Sequence, residues 1–143
     1  VSDIAEFIND KKSNKDYFTV QGGGGTGKSF SINRALSHIN PKNVIAAAPS
    51  HFAKNVLKDF LGDSYRVTTV ASLLGLKVSY DDEGKQIMIP NGRPDPPIVY
   101  YSIILIDEGS MLDDETAHLI LNFVRKENKK LIDLRINNHL IIK

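Results

Sequence analysis

QGGGGTGKSF, residues 21–30, is the stretch that decides the fold of this chain. Residues 22–29 fit the pattern G-x-x-x-x-G-K-[ST] in full, with a strand-forming segment, YFTVQ, before them and helical spacing after them. Glycines let successive backbone N–H groups converge on one phosphate oxyanion, and a helix N-terminus adds partial positive charge. The stretch therefore predicts a phosphate-binding loop, whereas a flexible glycine linker would not need Lys28 and Ser29 at those positions.

Six residues of this loop have expected roles. The backbone of Gly22, Gly25, Thr26 and Gly27 is expected to surround the phosphates of a bound nucleotide. Lys28 would reach the β- and γ-phosphates, and the Ser29 hydroxyl would bind Mg²⁺. The predicted cofactors are therefore ATP and Mg²⁺.

A second signal is IILID followed by Glu108, because an apolar segment there ends in two adjacent carboxylates. Ligands of open α/β sheets bind beyond the carboxyl ends of the strands. We expect Asp107 to hold Mg²⁺ and Glu108 to orient and deprotonate an attacking water. The alternative, a strand that ends in a solvated acidic turn, loses weight because a phosphate-loop pattern lies upstream.

The order of segments predicts a three-layer α/β/α fold with a parallel sheet, because apolar strand segments alternate with amphipathic helical ones. Strands are expected at 17–21, 44–48, 98–107 and 129–134, and helices at 3–12, 28–39, 51–61 and 113–128. The segment TTVASLL (68–74) predicts a short helical turn, and Asp113 or Asp114 is expected to cap the helix at 113–128. Residues 76–90 have the pattern of a β-hairpin with Gly84 in its turn.

Composition is that of an ordinary globular domain. The chain has 143 residues, 41% of them hydrophobic and 24% charged, with a formal net charge of +1 and no cysteine. A disulfide framework and a thiolate zinc site are therefore excluded. No apolar run approaches the ~18 residues of a membrane span, so we expect a cytoplasmic protein without membrane contact.

The motifs GGGGTGKS, AAPSHFAKNVL, TTVASLLG and LIDEGSM, in that order, resemble those of superfamily 1 DNA helicases. The similarity is greatest to the RecD-like and Dda-like 5′→3′ branch, superfamily 1B, including its phage members. This resemblance implies a RecA-like P-loop NTPase fold and Mg-ATP hydrolysis coupled to translocation on single-stranded DNA and duplex unwinding. It also implies DNA contacts from a larger set of residues, namely Pro49, Ser50, His51, Lys54 and Thr69.

Two features qualify the DNA contacts that the resemblance implies. Relatives usually read Thr-Ile-His-Ser where this chain has Thr69, Val70, Ala71 and Ser72, so Ala71 removes one expected contact. The hairpin at 76–90 lies where Dda-like enzymes insert a pin that splits the duplex. Tyr80, Ile87 and Met88 are candidates for its apolar wedge, although a hairpin without function is an equal alternative.

Further departures concern the ends of the chain. Relatives have an adenine-contacting glutamine ahead of the first helix, and a glutamine segment after the last strand that this chain does not match. We expect residues 1–143 to form a single, monomeric motor domain from which the second motor domain is absent. The alternatives are another P-loop ATPase, of the AAA+ or packaging-motor type, and an inactive nucleotide-binding fragment.

Overall fold

The computed structural model describes residues 17–21, 36–37, 39–107 and 112–135. The predicted helix at 3–12, almost all of the helix at 28–39, the phosphate loop at 22–29, and Glu108 lie outside the described residues. None of the helices in the described ranges is long and apolar enough to cross a membrane.

Five parallel strands form the main sheet, and two antiparallel strands form a separate hairpin. The sheet order is β1-β7-β6-β2-β3, with β4 and β5 paired only with each other. The strands along the chain are β1 (Tyr17–Gln21), β2 (Val44–Ala48), β3 (Arg66–Thr69), β4 (Leu76–Tyr80), β5 (Gln86–Pro90), β6 (Ile103–Asp107) and β7 (Lys130–Arg135).

Helices cover both faces of the sheet. Leu57 and Leu61 of α1 (His51–Leu61) pack with buried Leu36 on one face. The other face carries α2 (Val70–Leu73) and α3 (Asp114–Lys126), with Leu73 and Ile120 in its core. The continuously apolar β2 and β6 lie between two helical layers, which is the usual position of such strands. The predicted three-layer α/β/α fold is confirmed.

Two predicted segments differ from the structure. The strand expected at 98–107 begins only at Ile103, because Pro97–Tyr100 form a 3-10 helix after Pro96. The segment expected to be one helical turn at 68–74 contains the end of β3 and then α2, so the sequence prediction missed a strand. β3 has only four residues and a mixed burial pattern, so its hydrophobic residues show no clear periodicity in the sequence.

The hairpin agrees with the prediction and is closed at both ends. At its turn, the Asp81 carboxylate accepts hydrogen bonds from the backbone N–H groups of Glu83 and Lys85 at 2.9 and 2.8 Å, and Gly84 has φ +83°. At its base, the N–H of Asn91 donates to the carbonyl of Gly75 at 2.9 Å. No residue between 76 and 90 is fully buried.

Candidate nucleotide and nucleic-acid site

The predicted site segments leave the sheet along one edge, because all five strands are parallel. The pairing register puts Gln21 beside Arg135, Asp107 beside Leu134, and Ala48 beside Thr69. The phosphate loop follows Gln21 directly in the sequence, and Glu108 follows Asp107. The edge thus gathers the chain positions from which the loop, the carboxylates and α1 depart.

β7 lies between β1 and β6 and sets the spacing of the site. Neighbouring strands are about 4.8 Å apart, so the carboxyl ends of β1 and β6 are separated by about 10 Å. A gap of this size leaves room for a phosphate chain between a loop after β1 and a carboxylate after β6. Asp107 itself is half-buried at the end of β6.

The N-terminus of α1 opens at the same edge. The Ser50 hydroxyl caps it by accepting a hydrogen bond from the N–H of Ala53 at 3.1 Å. Ser50 and His51 are exposed, and Lys54 is half-buried one turn further on. The N-terminus of a helix carries partial positive charge, which favours an anion at this position.

Thr69 has a structural role that the sequence analysis did not identify. Its side chain is only 6% exposed, and its hydroxyl oxygen accepts a hydrogen bond from the N–H of Ser72 at 3.2 Å. Thr69 therefore caps α2 through its hydroxyl oxygen, while the hydroxyl hydrogen is not used in this bond.

The first turn of α1 also carries an aromatic residue that the sequence analysis did not single out. Phe52 is 79% exposed, and Val56, one turn later, is exposed as well. The apolar face of α1 is instead formed by Leu57 and Leu61. The signal was available, since Phe52 falls on the opposite side of the helix from those two leucines.

Two hydrogen bonds hold elements at the two edges of the sheet. At the opposite edge, where β3 begins, the Tyr65 hydroxyl, whose pKa burial raises, donates to the carbonyl of Leu36 at 3.1 Å. Asp113 caps α3 by accepting from the N–H of Thr116 at 2.7 Å, and hydrogen bonding with Thr116 lowers the pKa of Asp113. The predicted cap is thereby confirmed at Asp113.

A family model described as AAA domain matches residues 6–134 of the chain. The chain belongs to this AAA domain family. The match runs through β1, the phosphate-loop pattern and all the later strands.

Two known proteins are similar to this AAA domain. The ATP-dependent DNA helicase dda of Enterobacteria phage T4 is 27% identical over an alignment of 117 residues, and the match covers 79% of this chain and 25% of that protein. The crystal structure of Bacteroides sp Pif1 in complex with ADP-AlF4 matches with a TM-score of 0.58 at 20% identity, over 94% of this chain and 31% of that chain. The chain thus spans about a quarter of the length of dda. The predicted resemblance to a superfamily 1B motor domain and the RecA-like fold are confirmed.

Proposed function

We propose that this AAA domain is the ATP-binding motor domain of an ATP-dependent 5′→3′ DNA helicase. In the intact protein, Mg-ATP hydrolysis would drive translocation on single-stranded DNA and separation of the duplex. The observation that carries the proposal is the edge at which β1 and β6 end on either side of β7. The phosphate-loop pattern follows β1 in the sequence, Asp107 is the last residue of β6, and Glu108 comes next. The similarity to dda favours a helicase over the other P-loop ATPases.

The nucleotide half of the site is assigned as follows. The backbone of Gly22, Gly25, Thr26 and Gly27 would surround the phosphates, as in other phosphate loops. Lys28 would neutralise the β- and γ-phosphates, and Glu108 would take a proton from the attacking water.

Mg²⁺ fits the oxygen donors at this edge. Asp107 and the Ser29 hydroxyl are the kind of ligands it prefers, and in phosphate sites it takes only one or two protein ligands beside phosphate and water. Within the described ranges, no three His, Asp or Glu side chains cluster into an all-protein metal cage. When bound, Mg²⁺ would neutralise charge on the β- and γ-phosphates.

The DNA half is assigned to the start of α1. Ser50 and His51 are exposed at a helix N-terminus, and Lys54 lies one turn away, so a strand crossing this edge would meet donors for its phosphates. Pro49 precedes this helix start, and Thr69 ends the neighbouring strand β3. We propose that all five residues contact single-stranded DNA, Thr69 through its hydroxyl hydrogen.

The hairpin is assigned the role of a wedge. Val78 pairs with Met88 across the two strands, and both share one face with Tyr80. All three are exposed, whereas Ile87 belongs to the opposite face and is half-buried. An apolar wedge would therefore consist of Val78, Tyr80 and Met88. By resemblance, the helicase would act as a monomer in the cytoplasm of a bacterial or phage-infected cell.

Calorimetric titration with ATP and Mg²⁺ tests the nucleotide site. Lys28→Ala should weaken binding by about 10- to 100-fold, because a charge-assisted contact to phosphate is lost. Lys42→Ala is the matched control, since Lys42 is exposed in the turn that precedes β2, at the opposite edge of the sheet. Equal affinities for the Lys28→Ala and Lys42→Ala variants would rule the assignment out.

The same titration separates the metal contact from the phosphate contact. Asp107→Asn should weaken binding of ATP in the presence of Mg²⁺ but leave binding in EDTA unchanged, because only the metal ligand is altered. Binding is measured rather than turnover, since the chain spans about a quarter of dda and turnover belongs to the whole protein. An equal loss under both conditions would contradict the assignment of Asp107 to Mg²⁺.

A further inference from the structure

A polar groove with a volume of about 620 Å³ lies at the base of the hairpin. It is bounded by β3, α2, the first residues of β4 and the segment 91–101, and none of the described residues assigned to nucleotide or DNA above lines it. The side chains that give it its chemistry are Arg66, Lys77, Arg93, Asp95, Tyr100 and Tyr101.

Positive charge predominates in this groove. Arg66, Lys77 and Arg93 are exposed cations, and Asp95 is the only carboxylate among the lining residues. The Tyr100 hydroxyl donates a hydrogen bond to Asp95 Oδ2 at 3.1 Å, and this bond raises the pKa of Tyr100. The carboxylate is thus engaged by a neutral partner, while the three cations face the open groove.

Lys129 holds the backbone on both sides of Tyr100 in position. The ammonium of Lys129 donates to the carbonyls of Val99 and Tyr101 at 3.1 and 2.6 Å, on either side of Tyr100. Tyr100 is nevertheless 66% exposed, so the backbone is fixed while the ring remains available. A fixed, exposed ring next to cations is the combination with which proteins bind unpaired nucleic acid.

The opposite end of the hairpin has the opposite charge. Its turn contains Asp81, Asp82 and Glu83 with Lys85, and all four belong to the described, non-buried residues. A polyanion approaching the hairpin is therefore repelled at the tip and attracted at the base. The groove volume suits a short piece of unpaired strand, since it lies within the ~300–1,000 Å³ typical of sites for small ligands.

We propose that the groove at the hairpin base binds a second unpaired DNA segment, with Arg66, Lys77 and Arg93 on its phosphates and Tyr100 stacked on a base. This proposal rests on the proposed helicase function and adds a DNA contact that is separate from the start of α1. A strand held beside the hairpin would keep the two separated strands apart.

Fluorescence anisotropy with a labelled oligonucleotide of about 12 deoxythymidines tests the phosphate contacts. Lys77→Ala should weaken binding about 3- to 10-fold and lower the slope of log affinity against log salt by about one. Lys85→Ala is the matched control, because it removes an exposed lysine from the tip of the same hairpin. It should change affinity less than about twofold. Equal losses from the two variants would overturn the proposal.

The stacking contact is tested with Tyr100→Ala and Tyr100→Phe against normal and abasic strands of equal length. Tyr100→Ala should weaken binding to the normal strand about fivefold or more, and Tyr100→Phe should retain it, because stacking needs only the ring. Neither variant should affect the abasic strand. If Tyr100→Ala has no effect and polyglutamate competes as well as DNA, the groove binds acidic partners in general and the proposal is wrong.

Two outcomes separate this proposal from the proposed function. If His51→Ala weakens DNA binding while Lys77→Ala and Arg93→Ala do not, the sheet edge alone contacts DNA and the groove assignment fails. If the chain binds Mg-ATP through Lys28 but binds no oligonucleotide, the groove assignment fails while the nucleotide site stands. Forked DNAs with a photoreactive base in one tail or the other identify the strand in the groove by its crosslink to residues 91–101.

Discussion

Two strands of the parallel sheet, β2 and β6, have the same length as the two strands of the hairpin but opposite surroundings. All five residues of β2 and four of the five in β6 are buried, whereas no residue of β4 or β5 is buried. Burial of one aliphatic side chain stabilises a fold by about 1.5–3 kcal/mol, so the sheet strands account for much of the stability. Core packing does not account for the large apolar side chains of Val78, Tyr80 and Met88 in the hairpin, because all three are exposed. The comparison shows that the sheet strands supply buried packing, whereas the hairpin presents apolar side chains at the surface.

The largest loss of stability is expected from a substitution in the sheet. Leu105, in the middle of β6, is fully buried. Leu105→Ala should lower the free energy of unfolding by about 2–5 kcal/mol, through lost burial and the cavity left behind. Urea denaturation measures this, with Met88→Ala on the hairpin as the counterpart, for which we expect less than about 1 kcal/mol. Similar losses for both variants would mean that the hairpin packs more tightly than its exposure indicates.

A smaller loss of stability is expected from a substitution at Gly75, where the hairpin joins the rest of the domain. Gly75 has φ +72°, and an added Cβ would lie 3.1 Å from Cβ of Pro96. Gly75→Ala should therefore lower the free energy of unfolding by more than ~1–2 kcal/mol, which is the cost of the left-handed backbone alone. Gly84→Ala is the control in thermal or urea denaturation, since Gly84 has φ +83° with nothing within 4 Å of the added Cβ. A larger loss at Gly84 would show that the contact with Pro96 does not matter.

The cap of α3 should contribute about 1 kcal/mol and depend on pH. The pKa of Asp113 is lower in the folded chain than its ordinary value of 3.8, so its charge stabilises the fold above that value. The contribution is lost as the pH falls through the folded pKa. Urea denaturation of wild type and Asp113→Ala should differ at pH 7 and converge in acid.

Asp114→Ala removes a neighbouring carboxylate from the first turn of α3 without removing the cap. It should have the smaller effect at neutral pH. A difference between wild type and Asp113→Ala that does not change with pH would contradict the charged cap.

The smallest change in stability should come from the exposed face of the hairpin. Met88→Ser should alter the free energy of unfolding by no more than about 0.5 kcal/mol, because Met88 is already 40% exposed. If Met88 forms part of a wedge, the same substitution should reduce the fluorescence increase of 2-aminopurine at the junction of a forked DNA. An unchanged fluorescence response would argue for a hairpin without a role in strand separation.

The sequence predicted the fold wherever one physical signal dominated. VIAAA is apolar throughout because β2 is covered on both faces, and its predicted bounds agree with the structure. β3 was missed because its four residues, which run from exposed Arg66 to buried Thr69, show no alternation and adjoin an equally short helix. The strand at 98–107 was predicted too long, because apolar residues continue through a 3-10 helix that Pro97 begins.

The candidate site was predictable in part for a similar reason. The ends of parallel strands must share one edge, so local motifs at 22–29, 49–51 and 107–108 could be brought together from strand positions alone. The groove could not be predicted from the sequence, because Arg66, Lys77 and Arg93 meet only through the fold of the chain around the hairpin base. The burial of Thr69 likewise depends on the arrangement of neighbouring elements, whereas the exposure of Phe52 could have been predicted from its helical spacing.

The hydrogen bond between Asn91 and Gly75 determines how readily the hairpin can be exchanged. It brings together the two points at which the hairpin leaves and rejoins the chain, so a longer, shorter or unrelated insertion can replace residues 76–90 while the entry and exit stay fixed. Loops whose ends are already joined tolerate such exchange, because the cost of closing them grows only slowly with length. Residues 76–90 are therefore a position at which the chain can accept a different insertion without moving the ends of the flanking segments.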